Sequence, residues 1–311
     1  MKDFIFGRVF LTRECSLNCY YCKVVKEKKD ILPLDSWKNI FNTLRDLVMS
    51  FNILGGDPVL YPDFFRLVNW LNEEDINYTA ALTGLYISEE VKRQMLLTSY
   101  KGVSVSIDGT QDSHYLDKFS KIKSIYGYDF IGNVIAKNKI VGITVGRNNI
   151  LAIVDLVKQF SDKGWMSCVN PCQYKKKEFR MFSGGKKEFT AKDFDLLNEV
   201  GNNLLSLKKQ GYLLTGVDYI YQNWFNLFIK QDWKCLDTPS IFIDSDGSVG
   251  CCWDYRGKRV SKWSISEILC NINQFRQDYQ LDVQEGCSGC SWESQIVADR
   301  IRLGLEVNNI L

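Results

Sequence analysis

Cys15-Ser16-Leu17-Asn18-Cys19-Tyr20-Tyr21-Cys22 places three thiols at a C-x3-C-x2-C spacing, directly after an apolar stretch that reads as a strand over 4–12. Three thiolates on so tight a loop can ligate three irons of a cubane cluster, leaving the fourth iron without a protein ligand. An iron left open can chelate a substrate or cofactor, as catalytic metal centres require. Zinc is the alternative occupant, although zinc ribbons use two C-x2-C pairs and this loop has one.

Around this loop lie 311 residues, 45% hydrophobic and 24% charged, which suits one large α/β domain with an appendage. A formal net charge of +2 leaves no basic surplus for phosphate backbones or anionic lipid, so neither nucleic acid nor membrane is the expected partner. Met1 to Phe6 lacks the basic and long apolar regions of a signal peptide, and no apolar run reaches membrane-spanning length. The expected location is the cytoplasm, where eleven cysteines stay reduced and available to metals. The one histidine, His114, argues against a histidine-rich zinc or iron centre and reads as a loop or capping residue.

Strands are expected over 4–12, 51–54, 77–82, 102–108, 140–146 and 165–170, alternating with amphipathic helices. A helix over 35–50 puts Trp37, Ile40, Phe41, Leu44, Leu47 and Val48 on one face, and another over 149–163 does so with Ile150, Ile153, Val154, Val157 and Phe160. Thr190 and Asp193 open a third over 191–210. About six βα units make an α/β fold, a partial (β/α)6 TIM-like barrel over 1–211. From 212 the rhythm gives way to turns, aromatics and cysteines, so a small α+β domain is expected over 212–311. The stretch Val103-Ser104-Val105-Ser106-Ile107-Asp108 alternates, with Ser104, Ser106 and Asp108 sharing one face; that face is either the barrel lumen or the wet side of an edge strand. Residues 173–189, lysine-rich around Gly184-Gly185, read as a loop, either simply solvated or a lid over an anionic substrate.

The cysteine loop resembles that of the radical S-adenosylmethionine (SAM) superfamily, which carries this spacing after its first barrel strand with an aromatic before the last cysteine, here Tyr21. The resemblance implies a [4Fe–4S] cluster on Cys15, Cys19 and Cys22, with SAM on the open iron and reductive cleavage to a 5′-deoxyadenosyl radical. Gly55-Gly56-Asp57-Pro58 stands where the family has Gly-Gly-Glu-Pro, implying contact with the SAM amino group; Asp57 is shorter than the usual Glu. Ser106-Ile107-Asp108-Gly109 is similar to the fourth-strand element of anaerobic sulfatase-maturating enzymes, placing Ser106 by the SAM carboxylate or ribose. Arg147, ending the fifth strand, is a candidate for the same carboxylate.

Cys235, Cys252, Cys287 and Cys290 form a second set able to close all four irons of a cubane, a structural zinc site being the alternative. Asp246 to Cys252 resembles the Asp-Gly-x-Val-x-x-Cys run of SPASM and twitch extensions, and the absence of cysteine after Cys290 favours the twitch form with one auxiliary [4Fe–4S] cluster. Cys251 takes the place usually held by proline, so Cys252 is the expected ligand. Relatives with this extension modify peptides, sulfatase-type proteins or small sugars and cyclitols. The expected reaction is oxidation or crosslinking of a peptide residue or small polar metabolite, with Asp254 as candidate base and a flavodoxin or ferredoxin as electron donor. The first strand lies close to residue 1, which points to a small substrate or a separately encoded peptide-recognition protein. Epimerisation, with Cys168 or Cys172 as hydrogen donor, is the alternative reaction; a non-catalytic iron–sulfur electron carrier or scaffold is the alternative class.

Overall fold

The computed structural model describes residues 2–19, 22, 24, 29–110, 118–172, 189–231, 233–252, 255–287, 289 and 293–305. Strands and helices alternate through β1 (Phe4–Phe10), α1 (Leu34–Leu44), β2 (Val48–Leu54), α2 (Phe64–Glu73), β3 (Tyr78–Leu82), α3 (Glu89–Leu97), β4 (Ser99–Ser106), α4 (Lys118–Asn133), β5 (Ile135–Val145), α5 (Ile153–Asp162), β6 (Met166–Pro171) and α6 (Phe194–Lys209). Beyond them come α7 (Asp218–Gln222), α8 (Trp224–Ile229), β7 (Ser240–Ile243), β8 (Val249–Gly250), α9 (Ile265–Cys270), α10 (Ile272–Gly286) and α11 (Glu293–Arg302).

The sheet order is β6-β5-β4-β3-β2-β1-β7-β8, open at β6 and β8. Each of the first six strands is parallel to the next, as the βα rhythm demands. The segment after 212 returns to this sheet, because β7 pairs parallel with β1, Val9 opposite Ile243. Only β8 runs antiparallel, as the second arm of a short hairpin.

One face of the sheet is dry. Val9, Ile53, Ala80, Val103, Val105, Val141, Ile143, Val169 and Ile241 are buried there in one core with Trp37, Phe41, Leu67, Leu156 and Phe160 of the helices. Each such Val, Leu, Ile or Phe side chain contributes about 1.5–3 kcal/mol by leaving water. Along the other face Asn52, Ser104, Ser106, Thr144, Cys168 and Asn170 are half-buried, so the expected alternation of β4 marks the lumen side.

Several element boundaries differ from expectation, among them the start of β5 at Ile135 and not 140 and the 3-10 turn Ala191–Asp193 ahead of α6. The helix expected over 35–50 ends at Leu44, and the strand expected from 51 begins at Val48. Leu47 and Val48 prolong the helical spacing, but Leu47 gives its carbonyl to the Phe4 N–H at 2.8 Å and Val48 lies opposite Phe4. A strand register that buries Val48, Phe51 and Ile53 prevails over one more turn of helix. The helix expected from 149 opens as a 3-10 turn, Ile150–Ala152, before α5. No helix among the described residues is long and apolar enough to cross a membrane.

Candidate active site

The loop leaving β1 is clasped to the loop leaving β2 by backbone hydrogen bonds. Gly56 N–H donates to the Thr12 carbonyl at 3.0 Å, and Asp57 N–H to the Glu14 carbonyl at 2.7 Å. Neither glycine has room for a side chain: a Cβ on Gly55 would meet the Thr12 carbonyl oxygen, and one on Gly56 the carbonyl oxygens of Glu14 and Arg13. The glycine pair therefore serves first to let the cysteine loop lie against the second one.

On that clasp the thiols come together. Cys22 N–H closes a turn on the Cys19 carbonyl at 3.0 Å, while Leu17 N–H donates to Cys15 Sγ at 3.4 Å. Burial pushes the Cys15 thiol up to about 12, and the nearby Asp57, Cys22 and Cys19 push the same way. A desolvated thiol at Cys15, beside a carboxylate and two further thiols, stays protonated unless a cation compensates, which suits an iron cluster. Among the described residues no three Cys, His, Asp or Glu side chains converge on one point for a single metal ion. A cubane asks for less convergence, since each thiolate takes its own iron.

Asp57 is 2% exposed. Its Oδ2 accepts from the Thr83 hydroxyl, and Oδ1 has no hydrogen-bond partner. Burial raises its carboxyl to about 6 despite Thr83. A buried acceptor left open beside Cys15 fits an ammonium donor from a cofactor on the cluster. Thr83 was not among the residues singled out in the sequence; the Thr-Gly step after β3 was its only local sign. Beneath the loop, Cys22 and Leu54 pack on Phe10, Val24 and Phe242.

Across the lumen, register aligns Ser106 of β4 with Gly142 of β5, and Gly142 with Cys168 of β6. Asn170 Nδ2 donates to Cys168 Sγ at 3.2 Å. Cys172 lies fully buried in the core, its N–H on the Val145 carbonyl. Asp108 is buried and ion-paired with Lys123 at 2.5 Å, and it accepts from Thr144 N–H at 3.0 Å, so it ties the ends of β4 and β5 to α4. Arg147 stands half-exposed at the rim, paired with Asp193 at 2.6 Å and stacked over Phe189. Tyr21, His114, Asp254, Cys290 and residues 173–188 of the expected loop lie outside the described residues.

Residues 9–158 match the radical SAM superfamily. The chain carries a radical SAM domain. Within it, 102 residues are 32% identical to the mycofactocin maturase MftC of Mycobacterium tuberculosis, covering 32% of this chain and 26% of MftC. Another 24% identity over 140 residues, 43% of this chain and 51% of the relative, links it to an S-adenosylmethionine-dependent nucleotide dehydratase of Selenomonas ruminantium. The chain thus spans about half or less of the length of these curated relatives. Streptococcus suis SuiB, solved with S-adenosylmethionine bound, superposes with a TM-score of 0.67 at 18% identity, over 94% of this chain and 72% of SuiB. SuiB has also been solved with its precursor peptide SuiA, and that structure superposes at 0.66.

Next to the radical SAM domain, the later cysteines gather around Cys251: the charges of Cys252, Cys235 and Cys287, with Asp282, all act on it. Cys251 N–H and Cys252 N–H donate to the Arg256 and Tyr255 carbonyls at 3.1 and 3.0 Å, a tight hairpin. Cys251 is fully buried against the Gly257 turn, where a Cβ would stand 2.8 Å from its sulfur, whereas Cys252 is half-buried. The Cys235 turn is held by Asp299, which accepts from the Leu236 and Asp237 N–H groups at 3.0 and 2.8 Å.

One carboxylate ties the two cysteine regions together. Asp244, fully buried just after β7, takes Arg13 at 2.5 Å, Lys29 at 2.9 Å and Arg256. Burial alone would raise its pKa, but these three cations hold it below the usual carboxylate range. Arg13 lies two residues before Cys15, and Arg256 four after Cys252. Asp244, Asp282, Gln295 and Asp299 carried no signal in the sequence, because an isolated acid or amide there looks like any surface residue.

Proposed function

We propose that the chain cleaves S-adenosylmethionine reductively at a [4Fe–4S] cluster on Cys15, Cys19 and Cys22, yielding a 5′-deoxyadenosyl radical that abstracts hydrogen from a peptide or small polar substrate for oxidation or crosslinking. The observation that carries this reading is the backbone clasp that brings the Cys15 loop against Asp57, whose Oδ1 is unpartnered. In this reading Gly55, Gly56, Asp57 and Pro58 cradle the amino group of the cofactor. Ser106 and Arg147 take its ribose and carboxylate, Tyr21 flanks the cluster loop, and Asp108 acts through the strand ends it fixes. Protein reconstituted with iron and sulfide, reduced and given S-adenosylmethionine, is expected to release 5′-deoxyadenosine, and Cys15→Ala to abolish it. Wild-type protein that forms none would sink the proposal.

Cys235, Cys252, Cys287 and Cys290 would hold an auxiliary [4Fe–4S] cluster in a twitch-type unit over 212–311, supported by the gathering of the described thiols around Cys251. Protein lacking Cys15, Cys19 and Cys22 is expected to keep about four irons; zinc in their place would overturn this assignment. A peptide substrate is favoured by the likeness to a maturase and to SuiB, which has been solved with a precursor peptide bound. A flavodoxin- or ferredoxin-type donor, a separate recognition protein for the peptide and a cytoplasmic location complete the reading. Asp254 is its candidate base.

A second reading is favoured by the row Ser106–Gly142–Cys168, which turns a thiol toward the lumen with Asn170 holding it. There Cys168, rather than the core residue Cys172, returns a hydrogen atom to the substrate radical and the product is an epimer. Solvent deuterium on a substrate carbon marks that outcome, and a net two-electron oxidation excludes it.

A further inference from the structure

Cys235 Sγ faces a buried polar group that neither the cysteine pattern nor the proposed reaction uses. Gln295, on α11, is 3% exposed and its Nε2 donates to Cys235 Sγ at 3.2 Å. The amide is turned that way by Ser240 at the start of β7, whose hydroxyl donates to Gln295 Oε1 at 3.0 Å. Gln295 Nε2 also donates to the Tyr279 hydroxyl at 3.1 Å, and that hydroxyl in turn points its proton at the same sulfur from 4.0 Å. Three elements, β7, α10 and α11, therefore spend buried polar groups on one thiol. With the amide reversed, its carbonyl oxygen would lie against a sulfur that carries negative charge once it binds iron, so the ligand sulfur favours the N–H toward it and the Ser240 hydroxyl holds the amide in place from its oxygen end.

An N–H directed at a ligand sulfur draws electron density from it and favours the more negative, reduced state of a cluster; hydrogen bonds to the sulfurs are among the main settings of iron–sulfur potentials. In an interior this dry the effect is not screened by water. We infer that Gln295, oriented by Ser240 and backed by Tyr279, raises the reduction potential of the cluster on Cys235. The inference rests on the reading of Cys235, Cys252, Cys287 and Cys290 as ligands of an auxiliary cluster. It adds a positioning residue that sets the electron affinity of that cluster relative to the one on Cys15, Cys19 and Cys22.

The experiment is a potentiometric titration of the fully reconstituted protein, followed by electron paramagnetic resonance, on wild type, Gln295→Leu and Ser240→Ala. Gln295→Leu keeps the side-chain volume and removes the donor; Ser240→Ala removes only the hydroxyl that orients it. The expected result is a fall in the midpoint of the auxiliary cluster, larger for Gln295→Leu than for Ser240→Ala, with the midpoint of the other cluster unmoved and the iron content unchanged. Unchanged midpoints for both clusters in both variants, at full iron content, would overturn the inference while leaving the auxiliary cluster in place. A wild-type titration with a single redox transition, and zinc in the protein, would instead remove the auxiliary cluster itself and the inference with it.

Discussion

The two cysteine regions are built on opposite plans. The first lies within eight residues of chain and is pinned by backbone hydrogen bonds from Gly56 and Asp57, one strand away. The second spreads from Cys235 to Cys290, and side chains far away in sequence hold it: Asp299 and Gln295 at Cys235, Asp282 under the turn that follows Cys251 and Cys252. A backbone clasp tolerates almost any side chain except at the glycines, whereas a side-chain scaffold fails at whichever polar group is removed. Substitution should separate the two plans.

The largest effect is expected at Gly56. A methyl group there meets the Glu14 carbonyl and stands 2.6 Å from the Arg13 carbonyl oxygen, both backbone atoms that cannot rotate away. Gly56→Ala should push the cysteine loop off its seat and lower 5′-deoxyadenosine formation by about 100-fold or more, the order that a displacement near 1 Å costs. Iron bound at the second set should persist. Equal loss of iron from both sets would show that the clasp supports the whole molecule and not one loop.

That first plan was legible in the sequence because the spacing of the thiols is itself the signal, and the glycine pair follows the next strand at a regular distance. The six parallel strands were legible for the same reason, each carrying its period within a few residues. Helix α1 was overextended where Leu47 and Val48 satisfy both helical and strand spacing, and only the pairing of Val48 with Phe4 decides between them. Ser240–Ile243 forms a seventh parallel strand, and nothing local in the sequence tells it to lie beside β1. Asp244 shows the limit most clearly: its partner Arg13 is 231 residues away, and no periodicity spans that separation.

Asp244 is also where the two plans meet, so its loss should weaken both. Asp244→Asn leaves the Arg13 guanidinium, 3% exposed in its side chain, without its carboxylate, together with Arg256 and Lys29. Stranding buried cations costs about 3–5 kcal/mol, readable as a lower midpoint in urea. Because the cations hold the Asp244 carboxyl below its unfolded range, its contribution is complete above about pH 4 and is lost as pH falls through its folded value. The acid limb of wild-type stability should therefore flatten in Asp244→Asn. A variant that loses only one cluster's iron would assign Asp244 to that region alone.

Asp299 titrates the other way and belongs to the second plan only. Burial raises its carboxyl to about 6, against the hydrogen bonds from Asp237 and Leu236 that favour the charge. The folded chain then keeps this proton to higher pH than the unfolded chain does, so stability from this group is greatest below about pH 4 and falls as pH rises through about 6. The full swing is at most about 3 kcal/mol. Asp299→Asn should remove that slope between pH 4 and 7 in urea titrations without affecting 5′-deoxyadenosine formation. A slope that survives the substitution would place its source elsewhere.

The smallest effect is expected from Cys251→Ala, and it sharpens which neighbour is a ligand. Cys251 points into the core at the Gly257 turn beside Asp282, a carboxylate engaged by the Arg259 and Val260 N–H groups at 2.8 and 2.9 Å. A sulfur that must carry negative charge is poorly placed there. Cys252 is more open, and the Arg256 guanidinium that reaches Asp244 lies close enough to feel the charge of Cys252. The same guanidinium can neutralise a thiolate at 252 and link it to Asp244, while the charges recorded on Cys251 are those of thiols and Asp282. Cys251→Ala should thus cost about 1 kcal/mol of packing and keep all iron, whereas Cys252→Ala should lose the auxiliary iron. The reverse pattern would make the buried thiol the ligand and Arg256 a structural cation only.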